Sequence, residues 1–539
     1  MLSIDAVHMN APGRACAEAR LPPLSPHPSH LTRQRHTRPN IAMSFPKNFT
    51  WGAAAASYQI EGAWDADGKG LSVWDMLCRQ PGRVWEGNSG QVACDHYNRS
   101  AEDVALMKQV GLQAYRLSVS WPRVIPTGAG AVNEKGLAFY DKLVDQLLGA
   151  GIEPWVTLFH WDFPYDLFVR GGWMNPDSPR WFADYTQIIV DKLGDRVAHW
   201  MTLNEPQCFI GMGHLTGEHG PGLKLGMTEV LLAGHHCLLA HGLGTQVIRA
   251  RAKKKPIIGW APVGIVSFPA GDRPEDGKAA FKAMEAVWGD NLWNNAWWGD
   301  PVVLGHYPEN GLKAYGKHAP RFTDAEMKTI SQPLDFYGCN IYSGAPTLMG
   351  DNGEPIGATY EPGHPHTHFL WKRHAEALRW GPKFLADRYK LPIVITENGL
   401  SCNDWVALDG KVHDAGRIDF LHRYLLELHH AIQEGVDVRG YFQWSIMDNF
   451  EWAEGYKHRF GLVHVDYTTQ KRTLKDSAYW YSSVIKSNGE TLLEGRTCPA
   501  LEIATAAATA ESEPATAGSP ATNGAHAPSP NAASALAGV

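Results

Sequence analysis

Residues 391–400 read LPIVITENGL, and the fold is decided on them. Ile393, Val394, Ile395 and Thr396 form a short β-branched, largely apolar run, the kind that makes a strand covered on both faces. Glu397 follows directly, and Asn398 and Gly399 are residues that end a strand and turn the chain. A carboxylate at the carboxyl end of a buried parallel strand stands where α/β barrels carry their reactive groups. Taken alone, Glu397 is better explained as a solvated strand-end residue. A second place of the same kind, WMTLNEP at 200–206, ends a strand in Asn204 and Glu205. Two carboxylates on two strand ends of one barrel can face each other across its mouth, the minimum equipment for cleaving a glycosidic bond.

Working outward, apolar or β-branched runs place further strands at 49–56, 114–119, 153–159, 257–263, 335–340 and 438–445. Helical spacing is found at 101–110, 134–150, 179–193, 228–253, 373–389, 417–434 and 475–486. The segment 134–150 is the clearest, with Leu137, Tyr140, Leu143, Val144, Leu147 and Leu148 on one face. Strands alternating with helices imply a parallel sheet, and eight such units imply a single (β/α)8 TIM barrel with long strand-to-helix loops. An open doubly wound sheet is the competing topology. It leads one to expect a glycine-rich fingerprint after the first strand, and WGAAAASYQ is not one.

Bulk composition fits one large globular domain. The chain has 539 residues, 44% hydrophobic and 19% charged, and barrels with long loops can exceed 400 residues. A net charge of −7 and a pI near 6.4 point away from nucleic-acid or anionic-membrane partners. No apolar run approaches the roughly 20 residues of a membrane span. Eight scattered cysteines (Cys16, Cys78, Cys94, Cys208, Cys237, Cys339, Cys402, Cys498) show no metal spacing. They read as reduced thiols of a cytoplasmic protein. Residues 1–42 lack the apolar core of a signal peptide and are expected to be a disordered extension or translated leader upstream of a start at Met43. The catalytic domain is expected over 43–490. The Ala/Pro/Ser/Thr-rich residues 500–539 are expected to be a disordered tail.

Polar and aromatic groups recur where strands give way to loops: Gln59, Arg116, His160, Asn204, Glu205, Asn340, Tyr342, Glu397 and Trp444. The last strand is followed by MDNFEWAEGYKHRFG, which holds Glu451 and Trp452. Each residue has an ordinary structural explanation. Together they are a set of hydroxyl binders with an indole stacking plate, which is how a sugar is held. The 21 tryptophans fit that use and fit core filling equally. Arg116, inside an otherwise apolar strand, needs an anionic partner, because an unpaired buried charge costs several kcal/mol.

The chain closely resembles glycoside hydrolase family 1, the β-glucosidase family, over about 45–485. The motifs run in family order: FPKNFTWGAAAASYQIEG, YRLSVSWPRVIP, TLFHWDFP, TLNEP, DFYGCNIY, ITENG and GYFQWSIMDNFEWAEGYKHRFGLVHVD. The resemblance implies a retaining β-glucosidase acting on cellobiose, short oligosaccharides or aryl and alkyl β-glucosides, with a place in cellulose degradation. It implies that Glu397 is the nucleophile and Glu205 the acid and then the base. Arg116 and Tyr342 would contact Glu397 and favour its charged form, with Asn340 in support. Glu205, beside that charge in a partly desolvated place, would be raised to ~6. Gln59, His160, Asn204, Tyr342, Glu451 and Trp452 would bind the sugar, with Trp444 as its floor. Asn204 would reach the 2-hydroxyl and Glu451 the 4- and 6-hydroxyls, which disfavours a 6-phosphorylated substrate.

Departures lie on the leaving-group side. Gln207-Cys208 stands where the family often has Trp-Cys, HGPG (219–222) replaces HAPG, and FLWKRHAEALRWGPKFLADRY lacks the usual proline-containing pattern. A sugar-binding protein on an inactive scaffold and an enzyme dominated by transglycosylation are the other functional readings. No cofactor or metal is expected. HPHTH at 364–368 and the group His235, His236, His241 have no acidic or cysteine companion at ligand spacing, and the chemistry needs no Lewis acid. The first is read as loop and the second as helix surface or core.

Overall fold

The computed structural model describes residues 44–493; the expectations for 1–42 and 500–539 fall outside the described residues. Eight parallel strands form the central sheet: β1 Thr50–Ala54, β2 Ala114–Ser118, β3 Glu153–Phe159, β4 His199–Asn204, β5 Ile257–Ala261, β6 Tyr337–Asn340, β7 Ile393–Asn398 and β8 Val438–Trp444. They pair in chain order from β1 through β5, and on the other side β1 pairs with β8, β8 with β7 and β7 with β6. A parallel bridge between Val263 and Asn340 joins the ends. Gly264 N–H donates to Asn340 O (2.8 Å) and Asn340 N–H to Pro262 O (3.0 Å). The sheet thereby closes on itself, and the open doubly wound alternative is set aside.

The interior is a packed core. At the amino-terminal end Trp155 stacks on His199 with centroids 4.0 Å apart, while Phe336 and Phe442 close on Trp155 at 5.5 and 4.9 Å. Gly52 makes room for this plug, since a Cβ there would lie 2.5 Å from the Phe442 ring. Large rings thus fill one end of the barrel and leave polar groups to the other.

The helices α1 His96–Val110, α2 Glu134–Gly149, α3 Ser178–Leu193, α4 Met227–Arg251, α5 Ala377–Tyr389, α6 Ala415–Gln433 and α7 Asp476–Lys486 surround the barrel. Each buries an apolar stripe, as Leu137, Tyr140, Leu143, Val144 and Leu147 do on α2. Residues 264–334 carry several short helices, including Pro274–Met284, Ala296–Val303 and Asp324–Ile330. The strand Val266–Pro269 joins Gly344–Met349 and Pro355–Gly357 in a small separate sheet. Among the described residues no helix is long and apolar enough to cross a membrane.

Candidate active site

Glu205 and Glu397 both stand at carboxyl ends of barrel strands, and both strands lose register there. β4 pairs with β5 evenly from His199–Ile257 to Met201–Gly259, then slips so that Asn204 meets Ala261. β7 slips after Ile395 against both neighbours, leaving Glu397 opposite Asn340 and Asn398 opposite Gln443. Such irregularities bend a strand and re-aim its side chains. Glu205 itself has φ of 49°, and Trp161 and Trp452 have φ of 76° and 52°. Left-handed backbone at a residue with a side chain costs about 1–3 kcal/mol and persists only where the surroundings enforce it. Gly399 is needed for a closer reason than turning: a Cβ there would lie 1.9 Å from the Trp444 carbonyl oxygen.

A continuous hydrogen-bonded chain links the two carboxyls. Arg116 Nη1 donates to Glu397 Oε1 at 2.5 Å and Tyr342 Oη to Glu397 Oε2 at 2.7 Å. Arg116 Nη2 donates to Asn204 Oδ1 at 2.6 Å, and its Nε to Thr157 Oγ1 at 3.2 Å. Asn340 Nδ2 donates to the same Asn204 Oδ1 at 3.0 Å and to Glu205 Oε1 at 2.9 Å. The anion that the sequence demanded for Arg116 is therefore Glu397.

Because a guanidinium can only donate, it fixes the Asn204 amide with its oxygen toward Arg116. Asn204 Nδ2 then faces His160 Nε2 at 3.0 Å, so Nε2 accepts and the imidazole proton resides on Nδ1. Burial and the Arg116 charge hold His160 well below the ordinary histidine range, in the neutral form. The His160 ring lies nearly parallel to Trp444 (5.7 Å, 21°) and to Trp452 (5.9 Å, 19°). Gln59 Nε2 donates to Asn449 Oδ1 at 3.0 Å, Phe450 O at 2.9 Å and Glu451 Oε2 at 3.4 Å. Its buried Oε1 has no partner in the protein, an acceptor suited to a sugar hydroxyl. Of the eleven residues singled out in the sequence, Arg116 lies within β2 and the other ten lie at strand ends or in the segments that follow them.

Burial pushes both glutamates above the ordinary carboxyl range. For Glu205 the rise is to about 8; burial is the larger cause and the Glu397 charge the next, outweighing the Asn340 amide, the Cys208 thiol and Arg116. Full burial, added to the neighbouring charge, accounts for a value above ~6. For Glu397 burial is opposed by Arg116, Tyr342 and Asn340. A guanidinium and a phenol favour ionised Glu397, while Glu205 has only weaker donors. The proton therefore sits on Glu205 and the charge on Glu397. Tyr342, raised well above 10 by burial and by Glu397, stays protonated and able to donate. Glu451 is raised to about 8 by burial first and then by Glu397, Glu205 and Glu454.

Trp161, Asn449 and Thr396 were not singled out in the sequence. Trp161 Nε1 donates to the Asn204 carbonyl at 3.0 Å. Asn449 holds Gln59, and Thr396 Oγ1 donates to Asn340 Oδ1 at 2.6 Å. On the leaving-group side, Gln207 bonds Val263 N (3.2 Å), Val263 O (3.3 Å) and Asn294 O (3.3 Å). Gln207 thus ties the helical segment Gln207–Thr216 to the long segment after β5. His219 packs on Trp161 at 5.2 Å, and Trp371 lies 5.4 Å from Tyr342. The histidines weighed for metal binding have other neighbours. His364 stacks on His374 at 4.6 Å, His235 Nδ1 lies 3.0 Å from Tyr307 Oη, and His241 Nδ1 lies 2.6 Å from Thr202 Oγ1. Among the described residues no group of three or more His, Cys, Asp or Glu side chains could hold a metal ion.

A closed eight-stranded barrel with paired carboxyls and hydroxyl-binding groups at its carboxyl-terminal mouth defines a glycoside hydrolase. The family model of glycosyl hydrolase family 1 matches residues 41–490, and the chain belongs to that family. It is 44% identical over 456 residues to a 1,4-β-D-glucan glucohydrolase of Thermotoga neapolitana, covering 83% of this chain and 99% of the relative. It is 39% identical over 484 residues to an aryl-phospho-β-D-glucosidase of Bacillus subtilis, covering 83% and 98%. A β-glucosidase of Thermotoga maritima in complex with glucoimidazole superimposes with a TM-score of 0.76 at 42% identity, covering 83% of this chain and all of that one.

Proposed function

We propose that residues 43–490 form the catalytic domain of a retaining β-glucosidase. It removes terminal non-reducing β-D-glucosyl residues from cellobiose, short oligosaccharides or aryl and alkyl β-glucosides. The observation that carries this reading is the chain of bonds Glu205–Asn340–Asn204–Arg116–Glu397. It ties a protonated and an ionised carboxyl into one pocket, as a double displacement needs. Retention calls for carboxyls about 5–5.5 Å apart, with no room for water between nucleophile and sugar.

In the first step a Glu397 oxygen attacks the anomeric carbon while Glu205 gives its proton to the glycosidic oxygen. The C–O bond breaks, the aglycone leaves as an alcohol, and a glycosyl ester forms on Glu397. Esterification removes the Glu397 charge, which lowers the Glu205 pKa and prepares Glu205 as a base. In the second step Glu205 takes a proton from water, the water oxygen attacks the same carbon, and Glu397 departs as carboxylate. Two inversions restore the starting configuration.

Gln59 Oε1 accepts a sugar hydroxyl, the second Nδ2 hydrogen of Asn204 reaches the 2-hydroxyl, and the sugar lies on Trp444, with His160, Trp452 and Tyr342 around it. Glu451 takes the 4- and 6-hydroxyls. A phosphate dianion on O6 would meet the Glu451 carboxyl, which supplies no cation to it, with ionised Glu397 in the same pocket, so a non-phosphorylated glucoside is favoured over the substrate class named for the Bacillus subtilis relative. The described cysteines Cys78, Cys94, Cys208, Cys237, Cys339 and Cys402 are free thiols, in keeping with a reducing cytoplasmic setting. The partner is the small-molecule glycoside, with no nucleic acid or membrane.

The test is hydrolysis of a chromogenic β-glucoside by the parent enzyme and by Glu397→Ala, with product anomers followed by NMR. β-Glucose as first product and a nearly inactive variant are expected. Substantial activity in Glu397→Ala without an added nucleophile, or α-glucose as first product, would overturn the reading.

A further inference from the structure

Thr396 precedes Glu397 on β7 and is fully buried. Its hydroxyl does not serve Glu397. It crosses to β6 and donates to Asn340 Oδ1 at 2.6 Å. The Asn340 amide is fully used in this arrangement. Its two Nδ2 hydrogens go to Asn204 Oδ1 (3.0 Å) and Glu205 Oε1 (2.9 Å), and Thr396 is the donor to its oxygen. Asn340 is itself 1% exposed, and a buried amide oxygen stripped of its donor drives its side chain to rearrange.

We propose that Thr396 is a positioning residue for Glu205: its hydroxyl anchors the Asn340 carbonyl and thereby holds the Asn340 NH2 against Glu205 Oε1. This rests on the reading of Glu205 as acid and base. Two consequences follow from the direction of the bonds. An N–H aimed at Oε1 favours that oxygen as the carbonyl, the better acceptor, and so favours the acid proton on Oε2. The same N–H stabilises ionised Glu205, the form needed to activate water, and the Asn340 amide indeed lowers the Glu205 pKa against the effect of burial. The residue beside the nucleophile therefore sets the behaviour of the acid on another strand.

The experiment compares Thr396→Val, which keeps the shape and removes the hydroxyl, with Thr396→Ser, which keeps the hydroxyl. For Thr396→Val the alkaline limb of kcat/KM on an aryl β-glucoside is expected to move up by about half a unit to one unit, because Glu205 has lost a donor to its charged form. With a dinitrophenyl glucoside, whose departure needs no acid, kcat is expected to fall roughly 3–10-fold at neutral pH as less Glu205 is available as base. Thr396→Ser is expected to restore both. If Thr396→Val does not fold, judged by circular dichroism, Thr396→Ala takes its place with the same expected limb shift. An unmoved alkaline limb with activity merely scaled down, or a Ser variant as shifted as Val, would overturn the proposal. Glu205→Ala is run beside them. If the alkaline limb survives in that variant, the assignment of Glu205 has failed, and the role of Thr396 is rejected with it on separate grounds.

Discussion

Tyr342→Phe removes one oxygen atom and one bond from the site. The phenol donates to Glu397 Oε2 at 2.7 Å, while Arg116 holds the other oxygen at 2.5 Å. Burial drives the Glu397 pKa up, and these two donors are the principal groups that oppose it. A hydrogen bond to a charged acceptor is worth about 1.5–3 kcal/mol, and one pKa unit corresponds to about 1.4 kcal/mol. Loss of the phenol should therefore raise the Glu397 pKa by roughly one to two units. The nucleophile must be ionised, so the acid limb of the kcat/KM profile, measured on a dinitrophenyl β-glucoside, should move by that amount to higher pH. Tyr342 is itself raised well above 10, so its own ionisation does not enter the profile. An acid limb that stays in place while kcat/KM falls uniformly would refute the reasoning.

Glu205→Ala should lose about 10²–10⁴-fold on glycosides with poor leaving groups. On a dinitrophenyl glucoside its glycosylation rate should change little; equal losses on both, in a leaving-group series, would count against Glu205 as the acid. Azide should restore Glu397→Ala and give the α-glycosyl azide, whereas with Glu205→Ala it should give the β-azide, and NMR of the products decides. Arg123→Met should cost about 3–5 kcal/mol of stability, because Arg123 Nε donates to the buried Glu61 at 2.8 Å and Tyr140 holds the other oxygen at 2.6 Å. Denaturation curves check this, and a neutral result would contradict it. Chelators should leave activity unchanged, as followed by initial rates after dialysis.

The barrel was legible because its signals are local. An apolar run such as 393–396 needs no knowledge of its neighbours to be read as a buried strand. Where burial is achieved by polar bonding, the reading slipped. α1 begins at His96, five residues before the expected 101, because its first turn is buried through His96 on Asp103 (2.8 Å) and Arg472 on Asp103 (2.9 Å) rather than by apolar residues. α5 begins at Ala377 and not at 373, since His374 N–H is spent on Tyr424 Oη and its ring on His364. The short helices and small sheet of 264–357 offered too few turns for periodicity to register.

Residue types at the site were equally legible, but the direction of each bond was not. Asn204 and Asn340 read as hydroxyl-binding amides, yet most of their capacity is spent on Arg116, His160, Glu205 and Thr396. Thr396 reads as an ordinary strand former, because only the pairing of β7 with β6 brings its hydroxyl to Asn340. Gly399 looked like a turn residue, and its reason is the carbonyl of Trp444 on a strand more than forty residues away in sequence.

The most direct measurement is to inactivate the enzyme with a 2-deoxy-2-fluoro-β-glucoside carrying an activated leaving group and to map the label by peptic digestion and mass spectrometry. The slowed glycosyl ester should be found on the peptide that contains Glu397, with one sugar per chain. A label on any other residue, or turnover with no covalent adduct, would contradict a double displacement at Glu397.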